Sequence, residues 1–332
     1  MAITLAEAKV GMADKVDQQV IDTFRRSSLL LDMLTFDNSI SPGTGGSTLA
    51  YGYIQLKTPS TAAVRALNTE YTAGEAKREE KTAKAVIMGG SFEVDRVLQN
   101  TSGAVDELAF QAQQKIKATA NYFHNLVING TSASSGSGYV VNTFDGLRKA
   151  LTGTSNDFTT DIDLSDSTKL DSNANAFVDQ LDQLTHMVDG GASLLLMNTA
   201  MLLKVRAAAR RAGYYDRKKD DFGRAVEYFG DIPIMDAGMY YNGTKSVDVI
   251  ATSTPSAPAA GTSSIYAVNI ALDGFHGISP TGTGVINSYM PDLKAPGAVK
   301  KGEVELVAGV VLKNTLKAAA LNGIALKAKT SV

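Results

Sequence analysis

Apolar residues recur along this chain at two spacings, every second position or every third to fourth, and the switches between them mark its elements. Near the start, Thr4 and Glu7 have the spacing of a capping box. Asp14 to Arg26 then carries Val16, Val20, Ile21 and Phe24 on one helical face, and Leu29 to Leu34 follows as an apolar run. Residues 1–40 therefore read as an arm. Ser41 to Ser47 (SPGTGGS) breaks the pattern. Thr48 to Leu56 and Ala85 to Val94 read as strands, separated by about 28 mostly polar residues. If Glu75 to Lys84 is extended, Lys77, Glu79 and Lys81 share one face, and Arg78, Glu80 and Lys84 share the other. A strand charged on both faces cannot bury either in its own core.

Ala104 to Asn129 holds the clearest helical stripe: Val105, Leu108, Ala109, Ala112, Ile116, Phe123 and Val127. Thr101 or Ser102 suits its start, Asp106 and Glu107 suit the positive end of its dipole, and Gly130 suits its C-terminal cap. At 1.5 Å per residue such a helix is roughly 40 Å long, a rib that carries other elements. Gly130 to Gly138 is a Gly/Ser loop. Ala174 to Val188 is a second helix, with Phe177, Val178, Leu181, Leu184 and Val188 on one face and Gly190 beyond its end. Ser193 to Met197 is a short buried strand, after which Asn198 or Thr199 caps a helix to Ala212. Strands are expected at Val226–Phe229, Ile232–Met235, Val247–Ala251, Ile265–Ile270 and Glu303–Leu312, and a surface loop at Thr252–Ser264. No internal repeat is present.

Composition narrows the function. The chain has 332 residues, enough for one large or two ordinary domains, with 32 basic and 34 acidic groups and a net charge of −2. That balance excludes a bulk cationic binder of nucleic acid or anionic membrane. The arm sums four basic and six acidic residues to −2, so it is no basic RNA-binding tail. The absence of cysteine excludes disulfides, thiolate zinc sites and thiol nucleophiles. No run approaches the roughly 18 apolar residues of a spanning helix, and Met1 to Val10 does not read as a secretory signal. A soluble protein made in a cytosol is expected, with no membrane partner. The Asn100, Asn129 and Asn242 sequons then read as chance matches.

Candidate chemistry is sparse. Gly43–Thr48 (GTGGST) and Pro280–Gly284 (PTGTG) lack the GK[ST] of a phosphate loop and read as turns. His124, His186 and His276 are far apart, and the two on helices lack an i+4 ligand partner, so they read as surface or packing residues. Asp216, Asp220 and Asp221 interleave with Arg217, Lys218 and Lys219, as in a solvated ion-pair loop. Lys204 to Arg224 is the one basic stretch, with eight basic residues against three aspartates. It reads either as a charged helix face with an interfacial loop or as a weak phosphate contact. Gly74 to Lys84 is either a solvated hairpin or an intermolecular contact; exposed pairs of about 0–1 kcal/mol each would set register more than affinity. No cofactor, metal site or catalytic set is indicated.

The order is helical arm, Gly/Pro break, long charged hairpin, long helix, mixed middle and C-terminal return strand. With the phrases FEVDRVLQN, NTFDGLRKAL, SLLLMNTAMLLKVRAAAR and FGRAVEYFGDIPIM, it resembles the major capsid protein of tailed double-stranded DNA bacteriophages. The resemblance covers nearly the whole chain. It implies an α+β Hong Kong 97-type fold with an N-terminal arm (1–40), an extended loop (41–93) and a peripheral domain (94–150) whose spine helix spans residues 101–130. An axial domain (151–299) and return strands to the peripheral domain (300–332) complete it.

The function so implied is structural: hexamers and pentamers tiling an icosahedral shell around double-stranded DNA, assembled in the host cytoplasm and found in the virion. Implied partners are further copies of the chain, weakly and non-specifically held DNA, a portal and a separate scaffolding protein. Implied contact residues are Lys77, Arg78, Glu79, Glu80, Lys81 and Lys84 in the loop, and Phe24, Leu29, Leu30, Leu31 and Leu34 in the arm. Arg210, Arg211, Arg217, Lys218 and Lys219 would face DNA or the capsomer axis. Some members of the family crosslink lysine to asparagine; Lys77, Lys81 and Lys84 lie in the corresponding loop, but the sequence identifies neither an acceptor nor a catalytic acid, so no crosslink is assigned. The alternatives are an encapsulin-type nanocompartment shell, then a flagellin-like filament, then an enzyme.

Overall fold

Strands build the largest layer of the protein, a seven-stranded sheet. A computed structural model describes residues 30–37, 49–101, 106–213, 216–219, 225–256, 260–280 and 286–329. The helical pattern at Asp14–Arg26, the Gly43–Thr48 turn and Asp220, Asp221 and Arg224 lie outside them. The chain begins with a helical turn α1 (Leu30–Met33) and a short strand β1 (Phe36–Asp37), then β2 (Ala50–Thr58), β3 (Lys77–Lys84) and β4 (Val86–Asp95). Helices α2 (Arg96–Thr101), α3 (Glu107–Asn129) and α4 (Leu147–Leu151) follow, then β5 (Asp157–Thr159), α5 (Ser167–His186), β6 (Leu194–Met197) and α6 (Thr199–Arg211). Next come β7 (Asp216–Lys219), β8 (Ala225–Phe229), β9 (Ile232–Asp236), β10 (Met239–Tyr241) and β11 (Ser246–Asp248). The chain closes with β12 (Gly261–Val268), β13 (Phe275–Ile278), β14 (Asn287–Tyr289), β15 (Val299–Leu312) and β16 (Ala318–Lys327).

A seven-stranded mixed sheet runs in the order β5-β16-β12-β6-β9-β8-β7. Its central strands are covered on both faces, which is why β6 reads as an unbroken apolar run. Leu194 and Leu196 point into one core with Phe123, Tyr266, Val268, Ala318 and Ala320. Leu195 and Met197 point into the other with Phe177, Leu181, Ala267, Ala319 and Leu321. Helices α5 and α6 cover this second face, burying Phe177, Leu181 and Leu184 from α5 and Met201 and Val205 from α6.

A second sheet is organised by β15. Its first ten residues pair antiparallel with β4, from Val299↔Asp95 to Ala308↔Val86. Its end pairs with β13, its flank with β14, and β1 adds to β13 in parallel. The first half of α3 lies on this sheet, where Leu108, Ala112 and Ile116 meet Phe92, Val94 and Val304. Its last turns, Phe123 to Ile128, are buried on every side because they pass between the two sheets. Gly302 permits the close packing here: a Cβ there would lie 2.3 Å from the Phe92 ring.

Several expectations are corrected. The long helix starts at Glu107, not Ala104: Asp106 has extended backbone and caps it by accepting from the Leu108 and Ala109 amides. Its length is therefore nearer 35 Å, at 1.5 Å per residue. Gly130 does follow that helix, but at φ −66, so no left-handed turn requires it. It is required by space, since a Cβ would meet the Phe144 carbonyl oxygen at 2.5 Å. α5 begins at Ser167, capped by Asp166, ahead of the Ala174 expected. Gly261 to Ser264, placed in a surface loop, opens β12, and Ser263 is buried against Asn198. The two C-terminal strands separate: β15 joins the β4 sheet, while β16 enters the other sheet between β5 and β12. A 3-10 turn at Thr315–Lys317 redirects the chain, and β16, apolar on both sides, goes where both sides are covered.

Candidate subunit-contact surface

The extended hairpin is the element with the least support from its own chain. β2 and β3 pair antiparallel from Ala50↔Lys84 to Leu56↔Arg78, with a register shift before Thr58↔Lys77. At roughly 3.4 Å per residue, β2 reaches about 30 Å. Its odd positions face the body. Tyr51 is buried, and its hydroxyl donates to the Asp37 carboxylate at 2.9 Å. The Gln55 amide donates to the Lys313 carbonyl at 2.9 Å, and the Lys313 ammonium stands 5.2 Å from the Tyr51 ring centroid. A cavity of about 380 Å³ opens beneath this base, lined by Tyr53, Lys81, Lys84, Asp145 and Val311 among others. Burial, then Asp145 and Glu79, pushes the Tyr53 phenol up.

Its even positions face away, uncovered. Ile54 is 71% exposed and Leu56 57%. Beyond them, in the loop that joins the strands, Val64 is 100%, Leu67 90% and Tyr71 63% exposed. Within this tip the Arg65 guanidinium donates to the Thr69 carbonyl at 3.1 Å and stands 5.5 Å from the Tyr71 ring centroid. The expected charged positions are all on β3. Glu79 lies 3.3 Å from Lys81 and 3.5 Å from Lys57, and the hydrogen bond from Lys81 leads in holding its carboxyl below the usual range. Lys77, Arg78, Glu80, Lys81 and Lys84 are exposed. Sequence reading had noted these charges and missed the apolar outer face. The available signal was β2 itself, apolar at Tyr51 and Tyr53 on one parity and at Ile54 and Leu56 on the other.

In the arm, the expectation of a neighbour-facing apolar run is corrected at two positions. Leu30 (0% exposed) and Leu34 (6%) are buried in this chain's own core with Phe123 and Phe275. The helical turn, closed by the Leu34 amide on the Leu30 carbonyl, puts both on one face of α1, and that face meets α3. Met33 is exposed. Phe24, Leu29 and the Leu31 side chain lie outside the described residues.

Among the described residues of the basic stretch, three cationic side chains already have partners in this chain. Arg211 pairs with Asp171, Arg206 with Glu227, and the Lys204 ammonium donates to the Ser165 carbonyl at 3.2 Å. Arg211, which remains exposed, is half of an ion pair between α5 and α6. Arg210 is exposed on α6. Arg217, Lys218 and Lys219 lie on β7, an edge strand of the large sheet; their side chains lie outside the described residues. A second apolar group, Val97, Tyr289, Met290 and Val299, is exposed at the far end of the β4–β15 sheet.

His124, expected on a helix surface or in packing, is buried in packing, and burial pushes its pKa down to about 4. Among the described residues no cluster of histidine, aspartate and glutamate is arranged to hold a metal ion. Among those residues, too, no helix is long and apolar enough to cross a membrane.

The model of the SU10 major capsid protein family matches residues 9–243. No curated protein sequence matches the chain. Among solved structures it is similar to the holo-SrpI encapsulin complex from Synechococcus elongatus, at 12% identity and a TM-score of 0.65, over 100% of this chain and 99% of that one. It is similar to a chain from Mycobacterium phage Bobi, at 15% identity and a TM-score of 0.58, over 96% and 98%. It is also similar to the capsid of Myoviridae phage XM1, at 12% identity and a TM-score of 0.53, over 97% and 99%. At these identities the likeness is one of fold, and it bears out the α+β Hong Kong 97-type architecture expected from element order.

Proposed function

The chain belongs to the SU10 major capsid protein family, and from that premise we propose that its hairpin lies across a neighbouring copy to tile hexamers and pentamers of an icosahedral shell around double-stranded DNA. The family role is structural, and its place is the virion. In the proposed arrangement the arm (1–40) clamps a neighbour with the residues that precede Leu30, 41–93 form the draped loop, 94–150 form the peripheral part and 151–299 surround the capsomer axis. From 300–332, β15 returns to the peripheral sheet.

The observation that carries this reading is the uncovered outer face of the hairpin. Covering Ile54, Leu56, Val64 and Leu67 on a neighbour would contribute about 1.5–3 kcal/mol per fully buried side chain before the cost of association. A contact of only millimolar strength is about −4 kcal/mol. Several per subunit, closed by symmetry, make a durable shell from reversible steps. The net charge of −2 supports a container that does not condense its cargo by charge. DNA would then meet it weakly and non-specifically, delivered through a portal into a shell templated by a separate scaffolding protein.

The test replaces residues 59–76 with a short turn between β2 and β3. The variant is expected to remain soluble and folded and to lose closed shells in negative-stain micrographs. Shells of normal size and number from that variant would refute the draped-hairpin arrangement. Nucleic acid inside wild-type particles supports the DNA container; a folded enzyme in its place turns the reading to an encapsulin-type compartment.

A further inference from the structure

We propose that His276 is a pH-operated latch: neutral, it holds the arm strand and the hairpin base against the body of the chain, and protonated it releases them.

Three separate parts of the chain meet at the strand that carries this ring. His276 is 0% exposed and sits on β13, opposite Val311 of β15. The arm docks on the same strand. β1 pairs with it in parallel, the Gly277 amide donates to the Thr35 carbonyl at 2.8 Å, and the Ser279 amide donates to the Asp37 carbonyl at 3.1 Å. Phe36 packs so closely on this strand that a Cβ at Gly277 would lie 2.5 Å from its ring. The hairpin contributes Tyr51, whose ring meets the imidazole edge-on at 5.9 Å and whose hydroxyl binds Asp37. Arm, hairpin and body are thus joined within a few ångströms of His276.

Neither imidazole nitrogen makes a well-formed hydrogen bond. A neutral ring tolerates such a site as an aromatic filler; an imidazolium brings two charged donors into it, met by only a weak pull from the Gly274 backbone. The charged groups around it come from every packed element: Lys313 after β15, Asp273 from the turn before β13, Asp37 from the arm, and the Tyr51 phenol from the hairpin. Asp273 is held by Lys317 at 2.6 Å. Burial first, then Lys313, lowers the His276 pKa, against weaker opposing pulls from the Gly274 backbone, Asp37 and Asp273. The folded value is depressed, so the closed form is fully stabilised above the usual histidine pKa of about 6.5 and loses that stabilisation as pH falls through the folded value. Opening returns the ring to water at the junction where the arm and hairpin are fastened.

The latch lies within one chain, so its failure would leave the proposed shell untouched, and failure of the shell would leave the latch testable. The measurement is hydrogen–deuterium exchange of the full chain before assembly, from pH 7.5 to 4.5, corrected for the intrinsic pH dependence of exchange. On acidification, segments 33–37, 50–56 and 275–279 are expected to lose at least tenfold in protection while β6 and β12 keep theirs. His276→Phe is expected to keep all three segments protected at the acid end. Lys313→Gln, by removing a charge that depresses the closed-form His276 pKa, lets the closed form tolerate the imidazolium better and is expected to move the opening midpoint to lower pH. Unchanged protection of the three segments, equal opening in His276→Phe, or simultaneous loss in β6 and β12 overturns the proposal. Should His276→Phe fail to fold, Lys313→Gln decides alone, and a midpoint that stays or rises overturns it.

Discussion

Asn198 and Asp106 both cap helices, yet they should differ in cost when removed. Asn198 is 1% exposed; its carbonyl oxygen accepts from the Met201 amide at 2.8 Å, and its amide donates to Ile250 O, Thr252 Oγ1 and Ser263 Oγ at 2.8, 3.0 and 3.0 Å. Asn198→Ala removes a cap and strands buried acceptors, so about 2–4 kcal/mol is expected by urea unfolding. Asp106→Ala removes an exposed cap, for about 1 kcal/mol. The Gln99 amide and the Ala109 backbone hold the Asp106 carboxyl below its ordinary range. Its contribution is therefore present above that range and fades as pH falls through the depressed value. Leu30 supplies the second residue-scale expectation. If it served only a neighbour, Leu30→Ala would spare the lone chain; buried as it is, it should cost that chain about 2–5 kcal/mol.

The hairpin shows how one element divides its loyalties by parity. Tyr51 and Gln55 fasten it to the body, and Ile54 and Leu56 are left to solvent on the opposite face. Ile54→Ser with Leu56→Ser is therefore expected to leave the unfolding free energy of the unassembled chain within about 0.5 kcal/mol per site. Sedimentation of the same variant should show lost or strongly slowed particle formation. A variant that unfolds easily and still assembles would place the interface elsewhere. Legibility in the sequence followed the same division. The charges of β3 stood out, because a doubly charged strand contradicts burial. The outer apolar positions of β2 did not, because Ile54 and Leu56 look like core residues until the sheet is known to have one empty side.

At the scale of the whole molecule, β16 binds the two cores together. Ala318 and Ala320 belong to one, Ala319 and Leu321 to the other. With β6 and β12, which also face both cores, it couples the two sides, so the described body is expected to unfold as one unit. Near- and far-ultraviolet circular dichroism should report coincident transitions. Leu321→Ala, at a cost of about 2–5 kcal/mol, should speed exchange in both α3 and α5, although only α5 lies over its own core. Separate transitions for the two would show that the sheet does not couple them.

The amino-acid sequence alone determined what local periodicity can carry. It located α3 and α6 to within a few residues, the strands β2 and β4, the polar reach between them, and the element order by which the family was recognisable. These follow from spacing, capping and charge, which act between residues near one another in the chain. Only the tertiary structure decided that β15 and β16 part into different sheets, that Leu30 and Leu34 turn inward, that Arg211 is paired with Asp171, and that arm, hairpin and body meet at the strand carrying His276. Each of these depends on which surface arrives from tens to hundreds of residues away, and burial is a property of the pair that meets rather than of either segment.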